Sequence, residues 1–319
     1  MCEPTRVKVP ERIALQADRT AALQRFEAAL NPARPEAGGA RVIGYGEIST
    51  AFTLADLPGF ASKRMAGFST EPEAERYGEA LADYLDELHV QGVRTADTRL
   101  ALLTGANGRP MAYLVQPLLD AEGIGAHLLR TADDGRLLEC VQAVLETVAG
   151  LLDENARRTD DRVVAVDAQL SNWWFEPGST TPTLLDVGTP FMRRGGIDEC
   201  GTEFFLAPVP FPLRGYYRRQ RAVEQYIDDY FDARSLALDL LGNFHKEGRP
   251  DRIGVVVPLV NDWLAGRHAE NISARDVDAY YKKDAADLEL YLKIRRLDRA
   301  LYRLAGRSYP FILPGPIKR

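Results

Sequence analysis

The sequence is short of the residues on which several common chemistries depend. It has three cysteines in 319 residues, and Cys2, Cys140 and Cys200 stand singly. Neither a disulfide framework nor a C-x-x-C metal or redox site can be built from them. Its four histidines, His89, His127, His245 and His268, are too far apart for local metal-ligand spacing and read as surface or satisfied core residues. No lysine follows a glycine, which removes the G-x-x-x-x-G-K-[ST] phosphate loop. G-x-G-x-x-G, H-E-x-x-H and G-x-S-x-G are also missing. No run approaches the ~20 apolar residues of a membrane span, and residues 1–16 mix charges and prolines with no apolar signal region. Lys+Arg 40 against Asp+Glu 46 leaves a net charge of −6, so a global basic field for nucleic acid is absent. These absences lead us to expect a reduced, soluble, cytoplasmic protein with neither a nucleic-acid nor a membrane partner.

What is present is an ordinary globular composition, 45% hydrophobic and 27% charged, in a chain long enough for two domains or two lobes. Residues 21–30 have helical spacing, and 31–40 form a Pro/Gly-rich connector. From residue 41 the pattern turns to short strands at 42–43, 51–54 and 60–65. A helix follows, opened by Pro72 and the acids Glu73, Glu75 and Glu79 and stopped at Gly92. Two more strands are predicted at 99–103 and 111–119. Beyond them the chain becomes mostly helical, over 136–152, 223–243, 255–265 and 277–304, with strand-like pieces at 163–166, 173–176 and 183–185. The expected division is a helical extension over 1–40, a strand-rich lobe over 41–118 and a larger helical lobe over 119–319.

Four separated pieces carry chemistry when taken together. Gly44-Tyr45-Gly46-Glu47-Ile48-Ser49-Thr50 lies between two predicted strands, where glycines let backbone N–H groups approach phosphates. Lys63 sits on the following strand. Asp167 precedes Asn172 by five residues at the entry to the apolar Trp173-Trp174-Phe175, a spacing that can place a carboxylate near an acceptor hydroxyl and an amide oxygen on a metal. Asp186, nineteen residues after Asp167, ends an apolar strand in Asp-Val-Gly and can deliver a carboxylate to Mg²⁺.

In this order the pieces resemble the protein-kinase-like superfamily, in a style closest to aminoglycoside and other small-molecule phosphotransferases. The resemblance covers about 42–188 with identifiable motifs. The chain is also similar to a narrower, uncharacterised bacterial kinase-like family. The shared segments are Gly-Tyr-Gly-Glu-Ile-Ser-Thr (44–50), Asp-Ala-Gln-Leu-Ser-Asn-Trp (167–173) and Asn-Phe-His-Lys-Glu-Gly-Arg-Pro (243–250), the last without an evident mechanism.

The resemblance implies an α+β, bilobal kinase-like fold that uses ATP and Mg²⁺. Gly44, Gly46 and Ser49 would belong to the lid over the phosphates. Lys63 would contact them, held by Glu79, with Glu75 one turn earlier as the alternative. Val115-Gln116-Pro117-Leu118 would be the hinge offering backbone groups to adenine, with Gln116 and Leu118 binding it, Asp167 would be the base, and Asn172 and Asp186 the metal ligands. The His of the usual His-x-Asp is Ala165 here, so the loop needs other braces. No Ala-Pro-Glu follows Asp186, which points to a small-molecule acceptor, including antibiotic or natural-product classes, rather than a protein. An anionic acceptor could be held near Arg193 and Arg194 or Arg218 and Arg219, although a solvated, acid-compensated face is the simpler account of these arginines. Trp173 and Trp174 read as lobe packing. A nucleotide-binding pseudokinase scaffold and a nucleotidyl transferase on the same fold stay open as alternatives, and the sequence leaves the oligomeric state open.

Overall fold

A computed structural model of the chain describes residues 8–46, 48–105, 108–207 and 209–315, so the lid residue Glu47 and Cys2 lie outside the described residues. Helix α1 (Ala17–Ala29) precedes β1 (Ala40–Tyr45), β2 (Ser49–Leu54) and β3 (Phe60–Ala66). Helix α2 (Glu71–Val90), β4 (Arg99–Thr104) and β5 (Pro110–Pro117) complete the first half. The five strands form one antiparallel sheet in the order β1-β2-β3-β5-β4, with β3 at its centre.

Side chains alternate across a strand, and the sheet is apolar on both faces. Met65, Leu100, Leu102, Ala112 and Leu114 pack against Ala74, Tyr77 and Leu81 of α2. Phe52, Leu54, Leu103, Tyr113 and Val115 pack against Leu23 and Phe26 of α1. Helix α2 starts where expected: the Thr70 side chain accepts from Glu73 N, and Glu71, Pro72 and Glu73 fill its first turn.

The second half is helical: α3 (Gly125–Thr131), α4 (Asp134–Arg157), α5 (Thr202–Leu206), α6 (Phe211–Arg219), α7 (Ala222–Asp228), α8 (Ala233–Lys246), α9 (Ile253–Ala265) and α10 (Ala274–Leu304). Short antiparallel pairs interrupt it. β7 (Trp173–Phe175) pairs with β8 (Pro182–Leu184). β9 (Met192–Arg194) pairs with both β6 (Arg162–Val164) and β10 (Ile197–Asp198). The core of this half joins Val141, Val144, Leu145 and Val148 of α4 to Leu240, Leu241 and Phe244 of α8 and to Val256 and Val260 of α9. Among the described residues no helix is long and apolar enough to cross a membrane.

The predicted bilobal α+β arrangement is therefore present, with two corrections. The helix expected over 223–243 is two helices. Asp232 takes an extended conformation and its side chain accepts from Ser235 N at 2.8 Å, so it starts α8 as a new N-cap.

The lobe boundaries also shift, because both ends of the chain belong to the sheet. Tyr309, Phe311 and Leu313 fill the same core as α1. One buried cation fixes both ends. Arg64 donates from Nε (2.7 Å) and Nη2 (2.8 Å) to the Glu27 carboxylate of α1, and from Nη1 to Pro310 O at 2.7 Å. Tyr113 OH donates to the same Glu27 carboxylate. A buried guanidinium needs such partners, so residues 17–29 are no appendage and 309–313 are not part of the helical lobe.

Glycines give a test of this packing. A Cβ on Gly125 would lie 1.8 Å from Leu170 O, whereas one on Gly150, inside α4, meets nothing within 4 Å. Gly125→Ala should lower stability by at least about 2 kcal/mol. Gly150→Ala should raise it by about 0.4–1 kcal/mol through helix propensity and the unfolded chain. Chemical denaturation of the two variants measures both, and a neutral Gly125→Ala would contradict the close α3–loop contact.

Candidate active site

A cleft of about 530 Å³ lies between the sheet and the helical half. Its lining includes Gly46, Ser49, Lys63, Asp167, Asn172 and Asp186, six of the ten residues singled out from sequence.

The strand order brings them together. Lys63 faces the cleft from β3, the central strand, while its neighbour Arg64 faces the other side of the sheet. Lys63 Nζ donates to Asp186 Oδ1 at 2.6 Å, and Gly188 N donates to the same oxygen at 3.1 Å. Asp186 Oδ2 is left without a hydrogen-bond partner among the described residues. Burial works against the Asp186 charge, but the Lys63 ammonium and the Gly188 amide more than offset it and hold its pKa below the ordinary carboxylate range. A Cβ on Gly188 would stand 3.3 Å from Lys63 Nζ and 3.5 Å from Asp186 Oδ1, so glycine keeps this corner open. In the β7–β8 pair Trp173 opposes Leu184, and Leu185 N donates to Asn172 O at 2.8 Å. That register sets Asn172 beside the Asp186 turn.

A carboxylate and an amide oxygen are the donors a hard cation such as Mg²⁺ takes while keeping water and phosphate oxygens. Among the described residues no group of three or more His, Cys, Asp or Glu forms a metal cage. The donor set thus fits an ion shared with a phosphate substrate rather than one held by protein alone.

The lid is a hairpin closed by Gly46 N donating to Ser49 O at 3.0 Å. A Cβ on Gly46 would meet Ser49 Oγ at 2.7 Å, so the turn needs glycine there. Gly44 sits further along the hairpin, opposite Ala51, and does not line the cleft.

The loop that carries Asp167 is braced by residues outside the four sequence pieces. Tyr84 OH of α2 donates to Ala165 O at 2.7 Å. Trp173 Nε1 donates to Asp167 O at 3.1 Å, and Trp173 is fully buried, in keeping with lobe packing. From α8, Asp239 accepts from Gln169 Nε2 at 2.8 Å. Asn243 accepts from Ser171 N at 3.1 Å and donates to Ser171 Oγ at 3.1 Å. Lys246 Nζ lies 3.6 Å from both Asp239 and Asp284, and Tyr280 OH donates to Asp239 at 3.0 Å. The 243–250 segment thus acquires a role. Its signal was present in the polar series Asp239, Asn243 and Lys246, at i, i+4 and i+7 on a helix whose other buried side chains are leucine, alanine and phenylalanine. Asp167 itself accepts from Gln169 N at 2.8 Å. Burial, then the neighbouring Asp239 carboxylate, push its pKa well above the ordinary range.

Three expectations are corrected. Glu79 does not hold Lys63. Helix α2 turns Ala74, Tyr77 and Leu81 to the sheet, which leaves Glu79 exposed on the outer side, and Asp186 takes its place. The alternative, Glu75, accepts instead from Lys8 N at 2.9 Å, and Tyr77 OH reaches Gly188 O at 3.0 Å from the position facing the site.

The proposed hinge is also engaged elsewhere. Leu118 N donates to Gly59 O at 2.8 Å, Gln116 Nε2 donates to Leu185 O at 2.8 Å and Thr98 Oγ1 at 2.9 Å, and neither residue lines the cleft.

The arginines are spent within the fold. Arg193 pairs with Asp198 (2.7 Å) and Asp228 (2.6 Å), Arg194 with Glu199 (3.1 Å), and Arg218 with Glu203 (2.6 Å). Arg219 is exposed and, like the other three, lies outside the cleft lining.

The model of a family described as "family of unknown function (DUF6206)" matches residues 32–300. The chain belongs to the DUF6206 family. No curated protein matches it. Among solved structures, this DUF6206 chain is similar to WaaP in complex with acyl carrier protein, at 15% identity over 60% of this chain and 87% of that one, with a TM-score of 0.30. It is similar to WbdD at 12% identity over 76% of this chain and 50% of that one, TM-score 0.32. A protein from Ralstonia eutropha JMP134, assigned by its description to the aminoglycoside phosphotransferases, matches at 13% identity over 80% and 98%, TM-score 0.27.

The raised pKa of Asp167 has a stability consequence. The folded state holds this proton to higher pH than the unfolded chain does, so stability falls as pH rises from the unfolded carboxylate pKa to the raised folded one. Asn at 167 can keep the bond from Gln169 N without the charge. Asp167→Asn should therefore melt above wild type at neutral pH, and the difference should shrink as pH falls to about 4. Paired melting curves across pH test this, and a pH-independent difference would contradict it.

Proposed function

We propose that this chain is an ATP- and Mg²⁺-dependent phosphotransferase that acts on a hydroxyl or amine of a small metabolite. The observation that carries the proposal is the Lys63–Asp186 pair at 2.6 Å, set in one cleft with Asp167, Asn172 and the Gly46–Ser49 turn. A lysine for phosphate oxygens, two oxygen ligands for a hard cation and a separate buried carboxylate are the parts that phosphoryl transfer requires.

In this reading Lys63 binds phosphate, and Asp186 and Asn172 would hold the metal through their side-chain oxygens. When bound, the ion neutralises charge on the phosphate oxygens. Asp167 orients the acceptor and takes its proton as the new bond to the γ-phosphorus forms and the bond from that phosphorus to the β,γ-bridging oxygen breaks, with ADP leaving with the electron pair. Its pKa, raised by burial and by the Asp239 carboxylate, makes it a stronger base than a solvent-exposed carboxylate. The acceptor lies on the α8–α10 side of the cleft, where Asp239, Lys246, Tyr280 and Asp284 converge beyond Asp167.

The test is transfer of labelled phosphate from ATP to a panel of candidate metabolites, with water as the background acceptor. Asp167→Asn should keep ATP affinity and lose at least about two orders of magnitude in turnover. Undiminished turnover would remove Asp167 from the mechanism. Label from the α-phosphate on the product would favour nucleotidyl transfer. ATP binding without transfer to any acceptor would favour the scaffold alternative.

A further inference from the structure

Helix α10 is apolar on two opposite sides. Its inner side, with Val277, Leu292 and Arg295 buried, packs onto the rest of the chain. Its outer side carries Leu290, Leu297, Leu301 and Leu304, which are 55%, 63%, 55% and 86% exposed, with the half-buried Ile294 between the first two. Single exposed leucines are common on protein surfaces, but a row of them at one period calls for a partner. The steps along 290, 294, 297, 301 and 304 are four, three, four and three, the 3.5-residue period of a coiled-coil seam rather than the broader stripe of a core-facing helix.

We propose that this seam docks a second copy of the chain, with the two α10 helices side by side and parallel. The first of its two a positions favours two strands in that orientation. With Leu290, Leu297 and Leu304 at d, the a positions are Ile294 and Leu301, and a β-branched residue at a with leucine at d favours a parallel dimer. The flanking charges complement a copy of the same helix. Lys293 falls at g and Asp298 at e, five residues later, so each Lys293 meets Asp298 of the second copy when the helices run parallel. In an antiparallel pairing g faces g and e faces e, so Lys293 and Asp298 of the two copies would not meet. Ala286 and Ala300 occupy the other g positions and allow close approach.

Two heptads would be marginal for free peptides, but α10 is already folded and anchored by its inner side, so the helix-forming cost is met before association.

The inference does not depend on the phosphotransfer proposal, and its test reads mass rather than activity. Sedimentation equilibrium of the full chain from low to high micromolar concentration should give a dimer. Leu297→Glu should raise the dimer dissociation constant at least about tenfold, with an unchanged melting temperature for the exposed site. Lys293→Glu should weaken association about fivefold, and Lys293→Glu with Asp298→Lys should restore it. Wild type that is monomeric throughout would overturn the proposal. So would a dimer indifferent to Leu297→Glu, or a double charge reversal that fails to recover what the single one lost.

Discussion

The ion pair between Lys63 and Asp186 is the contact on which the site depends, because it is where the sheet and the helical half meet over a shared charge. Both side chains are partly open to solvent, at 24% and 40% exposure, so the pair contributes little to global stability. Its effect is positional. Lys63 stands on the central strand, and the next residue, Arg64, grips Glu27 and Pro310 O behind the sheet. One dipeptide of β3 thus sets the cleft on one face and ties both chain ends to the other. A shift of β3 by one residue would exchange these roles, placing a buried lysine where Glu27 waits and an arginine over Asp186.

The half of the fold that follows local rules could be read from sequence. Alternation and turns located all five strands of the sheet, and the acids after Pro72 marked the start of α2. The spacings that carried Asp167, Asn172 and Asp186 survive as one constellation because each is fixed by a short backbone unit: the β7–β8 register, the Gly188 turn and the loop between β6 and β7. Glu79 failed for a geometric reason. Sixteen residues of separation from Lys63 says nothing about which side of α2 faces inward, and the apolar face of the helix put Tyr77 there instead. Gln116 and Leu118 failed because a strand end can spend its donors within the protein, on Gly59 and Leu185, as readily as on a ligand.

What sequence could not supply was long-range. The Asp239–Gln169 and Asn243–Ser171 bonds join residues about seventy positions apart, and the Arg64–Pro310 bond spans 246. Ala165 announced that the loop had lost its usual brace without saying what replaced it. The polar series on α8 and Tyr84 on α2 now do so from two sides. Burial first, and the nearby Asp239 carboxylate second, raise the pKa of Asp167, so the packing that holds the loop also tunes its carboxyl.

The central claim is that Lys63 and Asp186 stand ready for a phosphate and its metal. Calorimetric titration of ATP into the wild-type protein and Lys63→Ala, each with and without Mg²⁺, tests it most directly. The account predicts Mg²⁺-dependent binding by the wild type, at least about tenfold weaker binding by the variant, as expected for the loss of a charge-assisted phosphate contact, and an unchanged fold. Equal affinity in the two proteins, or no ATP binding by the wild type, would contradict it.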